Sequence, residues 1–255
     1  TMGSQSVKAI KTQKERKEFV RHLLNDIEAF EYMIDNNLFE TGIQRVGAEQ
    51  ELCIVDKDYR PSTNALKILD KINDEHYTTE LALFNLEINL DPIELKNDCF
   101  SKLHNQLTEL LGKANKIAEN KKTKVLLTGI LPTLTLKHIG IENMTPIDRY
   151  FVLNEAIKES RKQDFNIHIK GIDELNLLHD SVMLEACNTS FQAHLQINPD
   201  NFIEVLGAKE HNLKNVNVKI PKNKLVVITY LRVFSKKSFS YFHVDEPIAK
   251  LMYKK

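Results

Sequence analysis

The sequence predicts an α+β fold: an antiparallel sheet with helices on one face and an open polar face on the other, followed by a small β-rich C-terminal segment. Three observations predict it. Val46 to Val55, Phe84 to Leu90 and Phe191 to Asn198 each alternate apolar with polar residues at strand spacing. Amphipathic helical stretches return between these strands. After about Phe202 the texture changes to short β-like runs separated by polar turns, with no long helix.

The elements follow in order. Lys14 to Asn37 carries Phe19, Val20, Leu23, Leu24, Ile27, Phe30 and Ile34 at helical spacing. The strand Val46 to Val55 comes next, then a turn at Lys57 to Pro61. Ser62 is a candidate cap for a helix through Leu66, Leu69 and Ile72. The second polar-faced strand ends at Asp91-Pro92, and Asn97 or Asp98 starts a long helix that closes in the basic run Lys121, Lys122. Val125 to Ile130 reads as a strand, Pro146 as the entry to a helix through Tyr150 and Ile157, and Phe165, Ile167 and Ile169 as a strand stopping at Gly171. Ile203 to Val205, Val216 to Ile220 and Leu225 to Thr229 are three further short strands. No internal repeat or low-complexity segment interrupts the chain.

The totals narrow the class. In 255 residues, 42% of them hydrophobic, there is material for a sizeable core. Thirty-five basic residues balance thirty-five acidic ones, so no global field favours nucleic acid or a membrane, and the expected partner is a small molecule. Cys53, Cys99 and Cys187 lack zinc or redox spacing and read as free thiols, which suits a reducing cytoplasm. No apolar run approaches the roughly 18 to 20 residues that span a bilayer, and the opening lacks a secretory h-region. Residues 1–14 read as a tag or disordered start.

On the polar side of the three strands Glu49 and Glu51 point together, as do Asn85, Glu87 and Asn89, and as do Gln192, His194, Gln196 and Asn198. Glu80 precedes Glu87 near the start of the same segment. If these strands share one sheet, three carboxylates and an imidazole gather on one face, and Glu80 is a candidate fourth carboxylate. Carboxylate oxygens are the hard ligands that magnesium takes when it shares its sphere with nucleotide phosphates; Glu49, Glu51 and Glu87 are the candidates, with Glu80 a candidate fourth acid, His194 a further ligand or a phosphate contact, and Gln192 a substrate-orienting or supporting residue. The bland reading is a solvated face, since acids on the wet side of a strand are ordinary.

Arg45-Val-Gly-Ala-Glu49-Gln-Glu51-Leu resembles the Gly-x-Glu-x-Glu strand of the glutamate–cysteine ligase family and its carboxylate–amine ligase relatives. Glu80-Leu-Ala-Leu-Phe-Asn-Leu-Glu87-Ile-Asn is similar to the family's second acidic segment, and Asn188-Thr-Ser-Phe-Gln192-Ala-His194-Leu-Gln to its third. The resemblance covers about residues 15–202. It implies a glutamine-synthetase-like catalytic cup, incomplete because the family's domain continues past its histidine strand. It further implies ATP and Mg2+ as cofactors, and a glutamate-like carboxylate and an amine as substrates joined through an acyl phosphate. The five predicted ligands fall at the family's metal positions, with Gln192 and Arg45 at catalytic ones.

Ile203 to Thr229, reading IEVLGAKEHNLKNVNVKIPKNKLVVIT, resembles the amino-terminal opening of the UvrA family, ABC-type damage-recognition ATPases of nucleotide excision repair. In that family the strand matching Leu225 to Thr229 runs into a Gly-rich phosphate loop. Here Lys236 stands at the lysine position, but Tyr230 to Ser238 contains no glycine, so no phosphate nest is expected. Three readings follow: a truncated, weakly active or inactive ligase; a non-catalytic fusion remnant binding divalent metal at most; and a UvrA-like ATPase fragment over 203–255. A fusion of two truncated reading frames joined near Phe202 and Ile203 accounts for both resemblances. Oligomeric state and the amine substrate are left open.

Overall fold

The computed structural model describes residues 7–161, 164–196, 203–208 and 216–220. Helix α1 (Gln13–Asp35) opens on a capping box, Glu15 N–H donating to Thr12 Oγ1 while Glu15 takes the Thr12 N–H. β1 (Arg45–Val55) follows, then α2 (Ala65–Ile72), β2 (Tyr77–Thr79), β3 (Asn85–Asn89), β4 (Ile93–Glu94) and α3 (Cys99–Glu119). The cap of α2 is Asn64, not Ser62, whose hydroxyl instead accepts from Asn64 Nδ2 at 3.1 Å. Asn73 in the left-handed region stops α2, a conformation asparagine tolerates. β5 (Lys124–Leu126) is half the predicted length, because the chain leaves the sheet before Gly129. α4 (Asp148–Arg161), β6 (Phe165–Lys170), β7 (Glu174–His179) and β8 (Phe191–Leu195) complete the body, and β9 (Ile203–Ala208) pairs with β10 (Val216–Ile220). Ile197, Asn198, Leu225 to Thr229 and Lys236 lie outside the described residues.

The sheet is antiparallel throughout and is organised around β1. Val46 pairs with both Ile93 and Leu195, and Cys53 with both Asn85 and Leu126. A strand has two edges, so β3 and β4 run along one and β5 and β8 along the other. β2 adds outside β3. β6 and β7 form a separate hairpin; β7 escaped the sequence reading because Leu175, Leu177 and Leu178 do not alternate cleanly.

One face is covered as expected. Leu52 and Ile54 of β1 and Leu86 and Ile88 of β3 are buried with Ile68 and Ile72 of α2 and with Leu103, Leu110 and Ala114 of α3. Three predictions fail in detail. Phe84 leaves this core for a second cluster with Met144, Tyr150 and Met183. Phe191 and Leu195 of β8 are 54% and 60% exposed, because neither helix reaches that edge. The polar face is not fully open either: Leu131 packs on Cys53 and Val55, and the Phe84 cluster closes the β2–β3 end.

An ionic group ties α3 to the β2 entry. Asp74 accepts from Lys113 at 2.5 Å and from His76 at 2.7 Å, and His76 reaches Asp91 at 3.2 Å. The Lys113 ammonium, with the His76 contacts, holds the Asp74 carboxyl below its ordinary range, and Asp74 with Asp91 raises the His76 imidazole. The Asp74 contribution is present above about pH 3.9 and lost as pH falls through its lowered folded value; the His76 contribution is full below about pH 6.5 and lost as pH rises through its raised one. Melting curves should therefore show this group stabilising most between those limits, and Asp74→Asn should flatten both flanks.

Candidate metal centre

Register brings the acids together. Glu51 and Glu87 face each other directly across the β1–β3 ladder, and Glu49 lies opposite Gln192 on the β1–β8 ladder. Glu80 arrives differently, from the turn between β2 and β3, a short route the single-segment reading of 80–90 missed. That turn is fixed by its backbone: Thr145 Oγ1 donates to Glu80 O at 2.6 Å, Thr145 N–H to Leu81 O at 2.9 Å, and Leu83 N–H to Asn143 O at 2.9 Å. One oxygen from each of Glu51, Glu80 and Glu87 falls within 4.8 Å of the others, all three side chains half-buried.

Each acid is aimed by a neighbour. Ser190 donates both its N–H, at 2.7 Å, and its hydroxyl, at 3.2 Å, to Glu51 Oε2, and Gln192 Nε2 lies 3.3 Å from Oε1. Asn89 Nδ2 donates to Glu87 Oε1 at 2.8 Å. Leu81 N–H donates to Glu80 Oε2 at 3.2 Å. Burial, and then the charge of Glu87 and a hydrogen bond shared with it, push the Glu80 carboxyl up to about 8.

Glu49 and His194 form a neighbouring pair, with Nε2 3.4 Å from Oε2, and neither joins the three-carboxylate group. Glu49 is 9% exposed; burial and the Glu87 charge raise its carboxyl, and His194 offsets part of the rise. Both residues line an open groove of about 680 Å³ with Arg45, Gly47, Asn89 and Gln196. Arg45 stands apart from the acids. Its guanidinium pairs with Glu40 and reaches Gln196 Oε1 at 2.9 Å, and it holds the Glu40 carboxyl down to about 2.

The donor set fits a hard divalent cation. Magnesium takes oxygens at about 2.0–2.1 Å in an octahedron, whose ligand–ligand distances of about 3 to 4 Å lie inside the spread of these three acids. Asn85, at the next same-face position of β3, is 3% exposed, and its Oδ1 is the buried side-chain polar atom without a partner among the described residues. An orphaned carbonyl of that kind suits a metal-bound water. Two contributors were missed from sequence. Ser190 sits one same-face step before Gln192, so extending the alternation back would have found it; Asn85 was seen on that face but given no role.

Comparison with known proteins points to a different part of the chain's ancestry. No family model matches, and no solved structure matches. UvrABC system protein A from Rickettsia typhi is 57% identical over 42 residues, that from Rickettsia conorii 60% over 40, and that from Mycoplasma genitalium 52% over 42. Each alignment takes 16% of this chain and 4% of the relative, so the chain spans only a small fraction of the proteins it matches. The comparisons support a short UvrA-like segment and give no support to the glutamate–cysteine ligase resemblance.

Proposed function

We propose that the body of this chain, about residues 15–202, is the first half of an ATP- and Mg2+-dependent carboxylate–amine ligase of glutamate–cysteine ligase type, joined near residue 203 to a UvrA-like segment. The observation that supports it is the arrival of Glu51, Glu80 and Glu87, from three different elements, within 4.8 Å of one another. Magnesium bound there supplies charge neutralisation for a transferring phosphoryl group. The chain's own residues do the positioning: Ser190 and Gln192 fix Glu51, Asn89 fixes Glu87, and the Thr145 anchor fixes Glu80. The Glu49–His194 pair on the adjoining groove supports a second cation there, with His194 alternatively a phosphate contact. Arg45, engaged by Glu40 and Gln196, serves as a positioning residue for the groove wall.

The second reading is a UvrA-like ABC-type ATPase fragment, favoured by the 57% identity over 42 residues. Phosphate release from ATP separates the two. Slow release requiring Mg2+ and glutamate, increased by an amine and lost in Glu51→Gln, is expected on the ligase reading. Release that requires DNA and ignores glutamate would establish the fragment reading. A magnesium-induced rise in melting temperature with no release under either condition would leave a metal-binding remnant.

A further inference from the structure

Helix α1 contributes nothing to the buried core. None of its residues is buried, and Phe19, Val20, Leu23 and Leu24 are between 41% and 55% exposed. Val20, Leu23, Ile27, Phe30 and Ile34 follow the 3–4–3–4 spacing of a two-helix seam, and Phe19 and Leu24 flank that seam and widen the exposed apolar face. Among the described residues the ring contact on this seam is local: Phe39 meets Phe30 edge to face, ring centres 5.6 Å apart.

The charges of α1 identify what covers the seam. The first half carries Lys14, Arg16, Lys17 and Arg21 against Glu15 and Glu18; of these acids, Glu15 is consumed by the cap and Glu18 pairs with Arg21 at 3.4 Å. The second half carries Asp26, Glu28, Glu31 and Asp35 and no basic residue. An anionic lipid surface would meet a helix with more acids than bases, and a parallel copy would set like halves against each other. An antiparallel copy sets the basic half against the acidic half twice, once on each side of a two-fold axis.

We propose that α1 is a homodimerisation helix that packs antiparallel on α1 of a second copy of this chain. Seam residues of one copy alternate with those of the other, Ile27 beside Leu23 of the second copy and Val20 beside its Phe30. This register places Lys17, which flanks the seam, beside Glu31 of the second copy; among the described residues neither has an ion pair of its own. The seam spans only two heptads, so the dimer is weak and is favoured by the folded bodies that hold each helix in place. The proposal does not rest on the metal-dependent reading.

Sedimentation equilibrium of the full chain at micromolar concentrations tests it. Lys17→Glu and Glu31→Lys are each expected to weaken dimerisation about tenfold, because each reverses two symmetry-related contacts. The double exchange within one chain is expected to restore it, added salt to weaken the parent dimer, and Leu23→Glu to leave the chain monomeric at every salt concentration. Both positions are exposed, so an unchanged melting temperature of the monomeric state serves as the folding control. A chain that stays monomeric throughout, a dimer indifferent to either single exchange, or a double exchange that fails to recover association would each overturn the proposal. Binding of α1 to phosphatidylserine vesicles in preference to itself would do so too.

Discussion

Glutamine in place of Glu87 is expected to raise the melting temperature of the metal-free protein while abolishing its response to magnesium. Glu87 faces Glu51 across the ladder and shares a hydrogen bond with Glu80, so without a cation it is the negative charge that its two neighbours must tolerate. Like charges opposed on a sheet are destabilising, and relief of this cluster is worth on the order of 1 kcal/mol, about 2–4 °C for a chain of this size. The amide keeps an oxygen for Asn89 Nδ2, so the local geometry survives. Acidity should act in the same direction. The Glu80 carboxyl is raised in the folded state from an ordinary value near 4.5 to about 8, so the contribution of the protonated form is full below about pH 4.5 and is lost as pH rises through about 8. Metal-free protein should accordingly melt lower at pH 8.5 than at pH 6; magnesium should narrow the gap, and Glu80→Gln should remove it. Scanning calorimetry with and without chelator measures all three. A Glu87→Gln protein that melts lower than its parent in chelator, or that still responds to magnesium, would show that these acids do not act as one site.

Alanine in place of Phe84 is expected to cost about 3–5 kcal/mol and, beyond that, to weaken magnesium binding. The ring is 1% exposed and centres the cluster of Met144, Tyr150 and Met183 on which the Glu80 turn rests. Its loss leaves a cavity under a segment held by the Thr145 and Asn143 hydrogen bonds, so the Glu80 carboxylate loses its aim. Leu52→Ala is the control: also fully buried, it lies in the other core, against α2 and α3, and should cost about 2–5 kcal/mol without altering metal affinity in the protein that remains folded. Isothermal titration at low temperature, where both variants are native, reads the difference. Equal affinities in the two would separate the Glu80 turn from the site.

What could be read from sequence followed the period-2 rule, and what could not lay outside it. Alternation placed Glu49, Glu51 and Glu87 on one side and Leu52, Ile54, Leu86 and Ile88 on the other, because a strand's pleat leaves no other choice. It said nothing of register. That Glu51 meets Glu87 and that Glu49 meets Gln192 are pairings between segments up to 143 positions apart. Glu80 was chosen for its place in a motif, while its actual approach depends on Thr145 and Asn143, distant in the chain and unremarkable in type. Coverage failed in the same way: Phe191 and Leu195 have the apolar face of a core strand, but α2 and α3 lie over β1 and β3 and stop short of them. Helix starts were legible only to within two residues: Ser62 and Asn64 are both competent caps, α2 begins after Asn64, and the Asn64 side chain bonds Ser62 rather than the helix backbone.

The hub position of β1 sets a schedule for synthesis. Its β3 and β4 edge can close once about forty more residues have been made, whereas on the other edge β5 covers only Cys53 to Val55 and the partner of Val46 to Gln50, Phe191 to Leu195, is separated from Gln50 by some 140. At about 5–20 residues per second that edge waits roughly 7 to 28 s on the ribosome with its amides unpaired. Val46 and Ala48 make that stretch an apolar edge, open to holdase capture or to pairing with a neighbouring nascent chain until β8 emerges.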